Sequence, residues 1–135
     1  MKYFIGIDLG TSSLKGILTD EKCVILRECH CDYPVSYPFL GWSEQDPENW
    51  IIAFNRVIAA LSDGIRDNIR GISVGGQMHG LVALDKDDNV IRPCILWNDG
   101  RTAGSTEYLN SVVGKDKLSE LTANIAFAGF TARER

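Results

Sequence analysis

Three short apolar runs, joined by tight turns, precede the first helical stretch in this chain of 135 residues. That order constrains the fold more than any other feature. Tyr3-Phe4-Ile5-Gly6-Ile7 is almost wholly apolar and stops at Asp8-Leu9-Gly10-Thr11, the pattern of a strand buried on both faces before a tight turn. Leu14 to Thr19 predicts a second strand, Asp20-Glu21-Lys22 a turn, and Cys23 to Cys31 a third strand. Short turns between consecutive strands make an antiparallel meander. Pro34 and Pro38 then hold an extended loop.

The first helix announces itself at Asp46, a good N-cap, with Pro47 at the first helical position and Glu48 against the dipole. Trp50, Ile51, Phe54, Val57, Ile58 and Leu61 fall on one helical stripe, which predicts packing on a sheet. Arg70 to Val74 reads as a fourth strand ending in Gly75-Gly76. Leu81 to Leu84 and Val90 to Leu96 predict a hairpin around Asp85 to Asn89. A helix is expected from Asp99 to Val113, with Leu109, Val112 and Val113 inward and Gly114 as its C-cap. A short helical piece, Lys115 to Leu121, and a loop-like end, Ala123 to Arg135, complete the chain. The order β-β-β-α-β departs from the alternation of a dinucleotide-binding sheet. Periodicity alone stops at an α/β fold with a mixed sheet.

Composition narrows the function classes. Hydrophobic residues at 44% and charged residues at 24% are those of a globular chain with one real core, so a single domain is expected. A net charge of -4 offers no basic patch for a phosphate backbone, so no nucleic-acid partner is expected. No apolar run approaches the roughly 20 residues that span a bilayer, and the apolar start is cut short at Asp8. The chain reads as cytoplasmic, without a membrane partner. Cys29-His30-Cys31 is a cluster of ligand-type residues, but no second pair stands at a zinc-site spacing. Its cysteines, with Cys23 and Cys94, are expected as reduced thiols packed like small hydrophobes.

The first strand turn carries a chemical pattern. Gly10 lets backbone amides approach an oxyanion, Thr11, Ser12 and Ser13 add hydroxyl donors, and Lys15 offers a cation to a terminal phosphate. Asp8, at the strand's end, can hold Mg²⁺ directly or through its water shell. Phosphoryl transfer needs this equipment, because its catalysis is mostly positioning and charge neutralisation. An ordinary hairpin turn accounts for the same residues equally well. The segment resembles the first phosphate motif of the actin-like superfamily, whose ribonuclease-H-like core also begins with three antiparallel strands followed by β-α units.

Two further segments point to a polyol. Gly75-Gly76-Gln77-Met78-His79-Gly80 follows a strand, and Ile95-Leu96-Trp97-Asn98-Asp99-Gly100-Arg101 ends a strand and opens a helix. Gln77, Met78, His79, Trp97 and Asp99 would stand at matching strand ends on one side of a sheet. Amide, imidazole and carboxylate groups suit hydroxyls, and an indole face suits carbon. Singly, each has a plainer role as turn, core or cap residue. Together they make a candidate site.

These segments are similar to motifs of the FGGY carbohydrate kinases, and among them of the xylulokinases, which carry GQMHG and ILWNDGR in this order. Trp42-Ser43-Glu44-Gln45-Asp46-Pro47 matches their WSEQDP, and Gly129-Phe130-Thr131-Ala132 resembles their GFTA. The resemblance runs from about Tyr3 to Ala132. Glycerol kinases carry Arg and Glu where this chain has Met78 and His79, which argues against glycerol. The resemblance implies an actin-like ATPase domain and transfer of the γ-phosphoryl of MgATP to the 5-hydroxyl of D-xylulose, forming xylulose 5-phosphate. It places Met78 and His79 on the ketose, Trp97 and Asp99 at its pocket, Asp8 with Mg²⁺ and the transition state, and Thr11, Ser12, Ser13 and Lys15 on ATP phosphates. The other readings it allows are a kinase for another sugar or for gluconate, and a non-catalytic sugar- or phosphate-binding domain.

Family members run to several hundred residues in two actin-like domains. The second supplies a catalytic-base aspartate, most of the adenosine pocket and a second phosphate motif. After the GFTA segment they continue with a Pro-Lys step, where this chain has Arg133-Glu134-Arg135. Residues 1–135 are therefore expected to be a truncated N-terminal FGGY domain, inactive alone. Apolar surface awaiting the missing C-terminal kinase domain would favour self-association as a homo-oligomer.

Overall fold

In a computed structural model, which describes residues 1–129, the three opening strands form as the turn chemistry dictates. They are β1 (Tyr3–Leu9), β2 (Ser13–Asp20) and β3 (Ile25–Asp32). β1 pairs antiparallel with β2, and β2 with β3. The turn after β2 is closed by Asp20, whose carboxylate accepts from the amides of Lys22 at 2.8 Å and Val24 at 3.0 Å. The third strand accordingly begins at Ile25. Cys23, expected in that strand and packed, is instead exposed in the turn with φ +61°.

α1 (Pro47–Ser62) starts as the sequence predicts, with the Asp46 carboxylate accepting from the Glu48 amide at 3.0 Å. Its last turn holds no basic residue. Arg27 of β3 substitutes, its guanidinium donating to the carbonyls of Leu61 at 3.1 Å and Asp63 at 2.8 Å. The chain then enters β5 (Ile69–Gly76), which pairs parallel with β1. The sheet order is β3-β2-β1-β5. An antiparallel meander with one parallel strand added through a helical crossover is the mixed α/β sheet expected.

The core lies between α1 and the sheet. Ile5, Ile7, Leu14, Leu18, Tyr33, Ala53, Val57 and Leu61 are buried there, with Cys29 and Cys31 packed at its margin. The helix approaches where β2 carries Gly16: a Cβ there would meet Val57 Cγ1 at 2.5 Å and Leu61 Cδ1 at 2.9 Å. Ile51, expected on the buried stripe, is exposed. Ala53, Val57 and Leu61 form the buried row, and the small Ala53 completes a face that the larger residue leaves to solvent.

Contacts divide the chain into two units. The first holds Met1–Val35 and Asp46–Gln77, and the second Ser36–Gln45 and the residues from Met78 onward. The second unit contains β4 (Glu44–Gln45), β6 (Cys94–Ile95), α2 (Ala103–Val112) and α3 (Lys115–Thr122). β4 and β6 pair antiparallel as a two-stranded sheet. The hairpin expected over residues 81–96 is reduced to the bridges Leu84–Val90 and Leu81–Ile95 and two bonds, from the Asp85 amide to the Asn89 carbonyl and from the Ile91 amide to the Ala83 carbonyl, both at 2.9 Å. Pro93 has no N–H to give a ladder. The Asp85 carboxylate takes the amides of Asp87 and Asn89 into its own turn, and these hydrogen bonds, Asn89's first, hold it below the usual carboxylate range.

The helix expected from Asp99 begins four residues later, at Ala103, and Val112 faces solvent rather than inward. Gly114, one residue past the C-cap Val113, has φ +87° and ends the helix as expected of glycine there. Of the segment 129–132, only Gly129 lies among the described residues. Among those residues no helix is long and apolar enough to cross a membrane.

Candidate functional site

β1 and β5 run parallel, so their carboxyl ends open on the same side, where open α/β sheets hold ligands. Leu9 pairs with Gly76 at that end, and the Gln77 amide donates to the Leu9 carbonyl at 2.8 Å. The turn Gly10–Ser13 follows, closed by the Gly10 amide on the Ser13 carbonyl at 3.0 Å. A Cβ at Gly10 would stand 3.0 Å from that carbonyl oxygen, so the turn is tight enough to favour glycine. Thr11 Oγ1 lies 3.2 Å from Gln77 Oε1 and donates to it. The first unit thus joins the candidate phosphate turn to the first polar residue of the candidate polyol segment.

Asp8 and Lys15 are direct cross-strand partners. Alternation puts both on the face opposite α1, since their neighbours Ile7 and Leu14 are buried under the helix. Both are exposed, as is Ser12; Thr11 and Ser13 are half-buried. Lys15 also stands opposite His30 of β3, which extends the row to Asp8, Lys15 and His30. His30 lines a concave stretch of this face with Ser13, Lys15, Glu28 and Asp32. Sequence reading treated it only as part of a cysteine cluster.

A second residue that sequence reading passed over is Tyr33. It is 7% exposed, just beyond β3, and its hydroxyl donates to the Gly10 carbonyl at 2.6 Å. Its amide donates to the Ser12 carbonyl at 3.1 Å. Burial, then the Asp8 carboxylate and Cys31, push the phenol up to about 12. The register that places Tyr33 beside the turn was the only signal for it.

In the second unit, Met78 and His79 follow the crossing from Gln77. Both are exposed, and His79 holds a left-handed backbone with φ +64°. A Cβ at Gly80 would come within 2.8 Å of Cys94 Sγ. Trp97 is 40% exposed, two residues beyond β6. Contrary to the expectation of matching strand ends in one sheet, the segments containing His79 and Trp97 follow strands of different sheets: one follows β5 of the four-stranded sheet, the other β6 of the separate pair. The two-residue β6 pairs with β4, a partner too short to show in any sequence period.

Asp99 is 1% exposed, and its carboxylate accepts from the Ser43 amide at 2.6 Å and the Arg101 amide at 2.8 Å. It also takes both Arg101 Nε, at 2.8 Å, and Nη2, at 2.6 Å. Arg101 Nη1 reaches Glu44 at 2.6 Å, and the guanidinium lies 3.6 Å from the centroid of Trp42. Burial opposes the charge on Asp99, but the bonds from Arg101 and Ser43 prevail and hold it below the usual carboxylate range. Burial likewise opposes the Arg101 charge, and its bonds to Asp99 and Glu44 raise its pKa. Trp42, Ser43 and Glu44 are thereby bound to Asp99 and Arg101. Gly129 closes on this segment as well, since a Cβ there would fall on the Trp97 carbonyl oxygen.

These motifs can be set against known proteins. The model for the N-terminal domain of the FGGY family of carbohydrate kinases matches residues 3–134. The chain belongs to the FGGY family. It is 46% identical over 134 residues to a xylulose kinase from Lactococcus lactis, covering 97% of this chain and 26% of that protein. Among solved structures, a xyloylose kinase from Brucella ovis superposes with a TM-score of 0.86 at 43% identity, over 96% of this chain and 27% of that one. A gluconate kinase from Lactobacillus acidophilus superposes with a TM-score of 0.82 at 28% identity, over 88% of this chain and 24% of that one. The actin-like fold of these kinases is therefore the fold of this chain. It spans about a quarter of the length of the first curated relatives it matches.

Proposed function

We propose that residues 1–135 form the N-terminal part of a cytoplasmic kinase that transfers the γ-phosphoryl group of MgATP to a hydroxyl of D-xylulose. The observation that carries this reading is the joined end of β1 and β5. There the Gly10–Ser13 turn is hydrogen-bonded to Gln77, with Asp8 and Lys15 paired on the adjoining face. A phosphate chain on this turn would meet the Thr11, Ser12 and Ser13 hydroxyls and the Lys15 ammonium.

Among the described residues no three His, Cys, Asp or Glu side chains come together as a metal-ligand set. Asp8 offers one carboxylate, which suits Mg²⁺, an ion held largely by water and substrate phosphates. Mg²⁺ bound there would neutralise charge on the phosphate oxygens. Met78, His79 and the face of Trp97 would meet the ketose. Asp99, buried and fully engaged, would shape the pocket by holding the Trp97–Arg101 segment rather than by touching the sugar.

In the reaction, the ketose oxygen bonds to the γ-phosphorus as the β–γ bridging bond breaks, and its proton passes to a base. We assign that base and the adenine pocket to the second domain of the longer relatives, so this chain alone is expected to show no turnover. Calorimetry with D-xylulose and with MgATP, on this chain and on a two-domain version, tests the reading. We expect the two-domain protein to bind both and to phosphorylate xylulose in preference to gluconate or glycerol. Failure to bind either ligand, or a preference for gluconate, would overturn it.

A further inference from the structure

We propose that Tyr33 is the positioning residue of the phosphate turn, holding two of its carbonyls inward so that backbone amides face the phosphate; this rests on the phosphate reading above. The four residues Gly10 to Ser13 must present donors outward, yet a short turn of small residues is free to rotate its peptide planes. Tyr33 removes that freedom at two points. Its hydroxyl holds the Gly10 carbonyl at 2.6 Å and its amide holds the Ser12 carbonyl at 3.1 Å.

No peptide bond among the described residues is cis. In a trans peptide the next residue's N–H points opposite to the carbonyl. Turning the Gly10 and Ser12 carbonyls toward Tyr33 therefore turns the Thr11 and Ser13 amides away from it. The Tyr33 ring belongs to the core cluster under α1, so the Thr11 amide is directed away from the core, and the Ser13 amide away from the Tyr33 main chain. The hydroxyl can only donate while protonated, and with its pKa pushed up to about 12 it does so throughout the neutral range. Tyr33 need not touch a phosphate to act.

Tyr33→Phe deletes the hydroxyl and keeps the buried ring. The probe is inorganic tripolyphosphate, titrated into the millimolar range while the amide resonances of Thr11, Ser12 and Ser13 are followed. In the unaltered chain those amides should shift on titration. In Tyr33→Phe the affinity should fall roughly threefold or more, the loss of one hydrogen bond. The rest of the amide spectrum should stay close to that of the unaltered chain, and the thermal midpoint should fall by no more than about a few degrees, the cost of one hydrogen bond. Equal affinity in the two chains, with shifts at the turn in both, would overturn the inference and leave the phosphate reading standing. No shift at the turn in the unaltered chain would overturn the phosphate reading, and the inference with it. Tyr33→Thr, which keeps a hydroxyl too short to reach, should bind as weakly as Tyr33→Phe; restored affinity there would also count against the inference.

Discussion

Asp99 shows how a residue's surroundings decide its role. Before a helix it has the look of a cap, and in the polyol segment that of a ligand. It is instead buried under four hydrogen bonds from Ser43 and Arg101. Since its folded pKa is depressed, its contribution to stability is fully present above the unfolded value of about 4 and is lost as pH falls through the folded value. We expect the denaturation midpoint to drop below about pH 4, with the loss reduced in Asp99→Asn, which should also be less stable at neutral pH because Arg101 loses a charge partner. Equal acid sensitivity of the two proteins, followed by circular dichroism, would contradict this. The bond to Ser43 is not legible locally, because it joins residues 56 apart in the chain. The candidate polar residues were visible; what holds them was not.

At the scale of elements, the start of α1 and the meander were legible because their signals are local. Asp46-Pro47-Glu48 caps its own helix, and short turns can join only neighbouring strands. The extent of the hairpin over residues 81–96 was not, where Pro93 gives no N–H and Asp85 holds its own turn, nor was the start of α2, where Ser43 holds Asp99. The seat of α1 on β2 depends on Gly16, whose Cβ position is filled by Val57 and Leu61. Gly16→Ala should push the helix from the sheet and destabilise the chain by about 1–3 kcal/mol, as overpacking does. Chemical denaturation measures it. A midpoint unchanged from the parent would mean that α1 gives way at no cost.

For the whole molecule, the sheet's exposed margin is the feature with consequences in solution. β5 is an edge strand, and its Ile72 and Val74 are 49% and 60% exposed. An apolar edge strand invites pairing with another chain. Sedimentation of the 135-residue chain should show association that grows with concentration, and Val74→Lys should reduce it. A clean monomer at high concentration would refute this. The fold class was readable from element order, and the family from the motifs. The division into two units was not, because the second draws Ser36–Gln45 from before α1.

The cluster of Trp42, Glu44, Asp99 and Arg101 also sets how this sequence can drift. Replacing Arg101 alone strands two carboxylates, one of them wholly enclosed, and uncovers an indole face. Replacing Asp99 alone leaves a guanidinium short of its forked partner. Single steps away from the set are therefore penalised, whereas a joint change of all four could be neutral. Lineages descended from this chain should keep the four together or exchange them together.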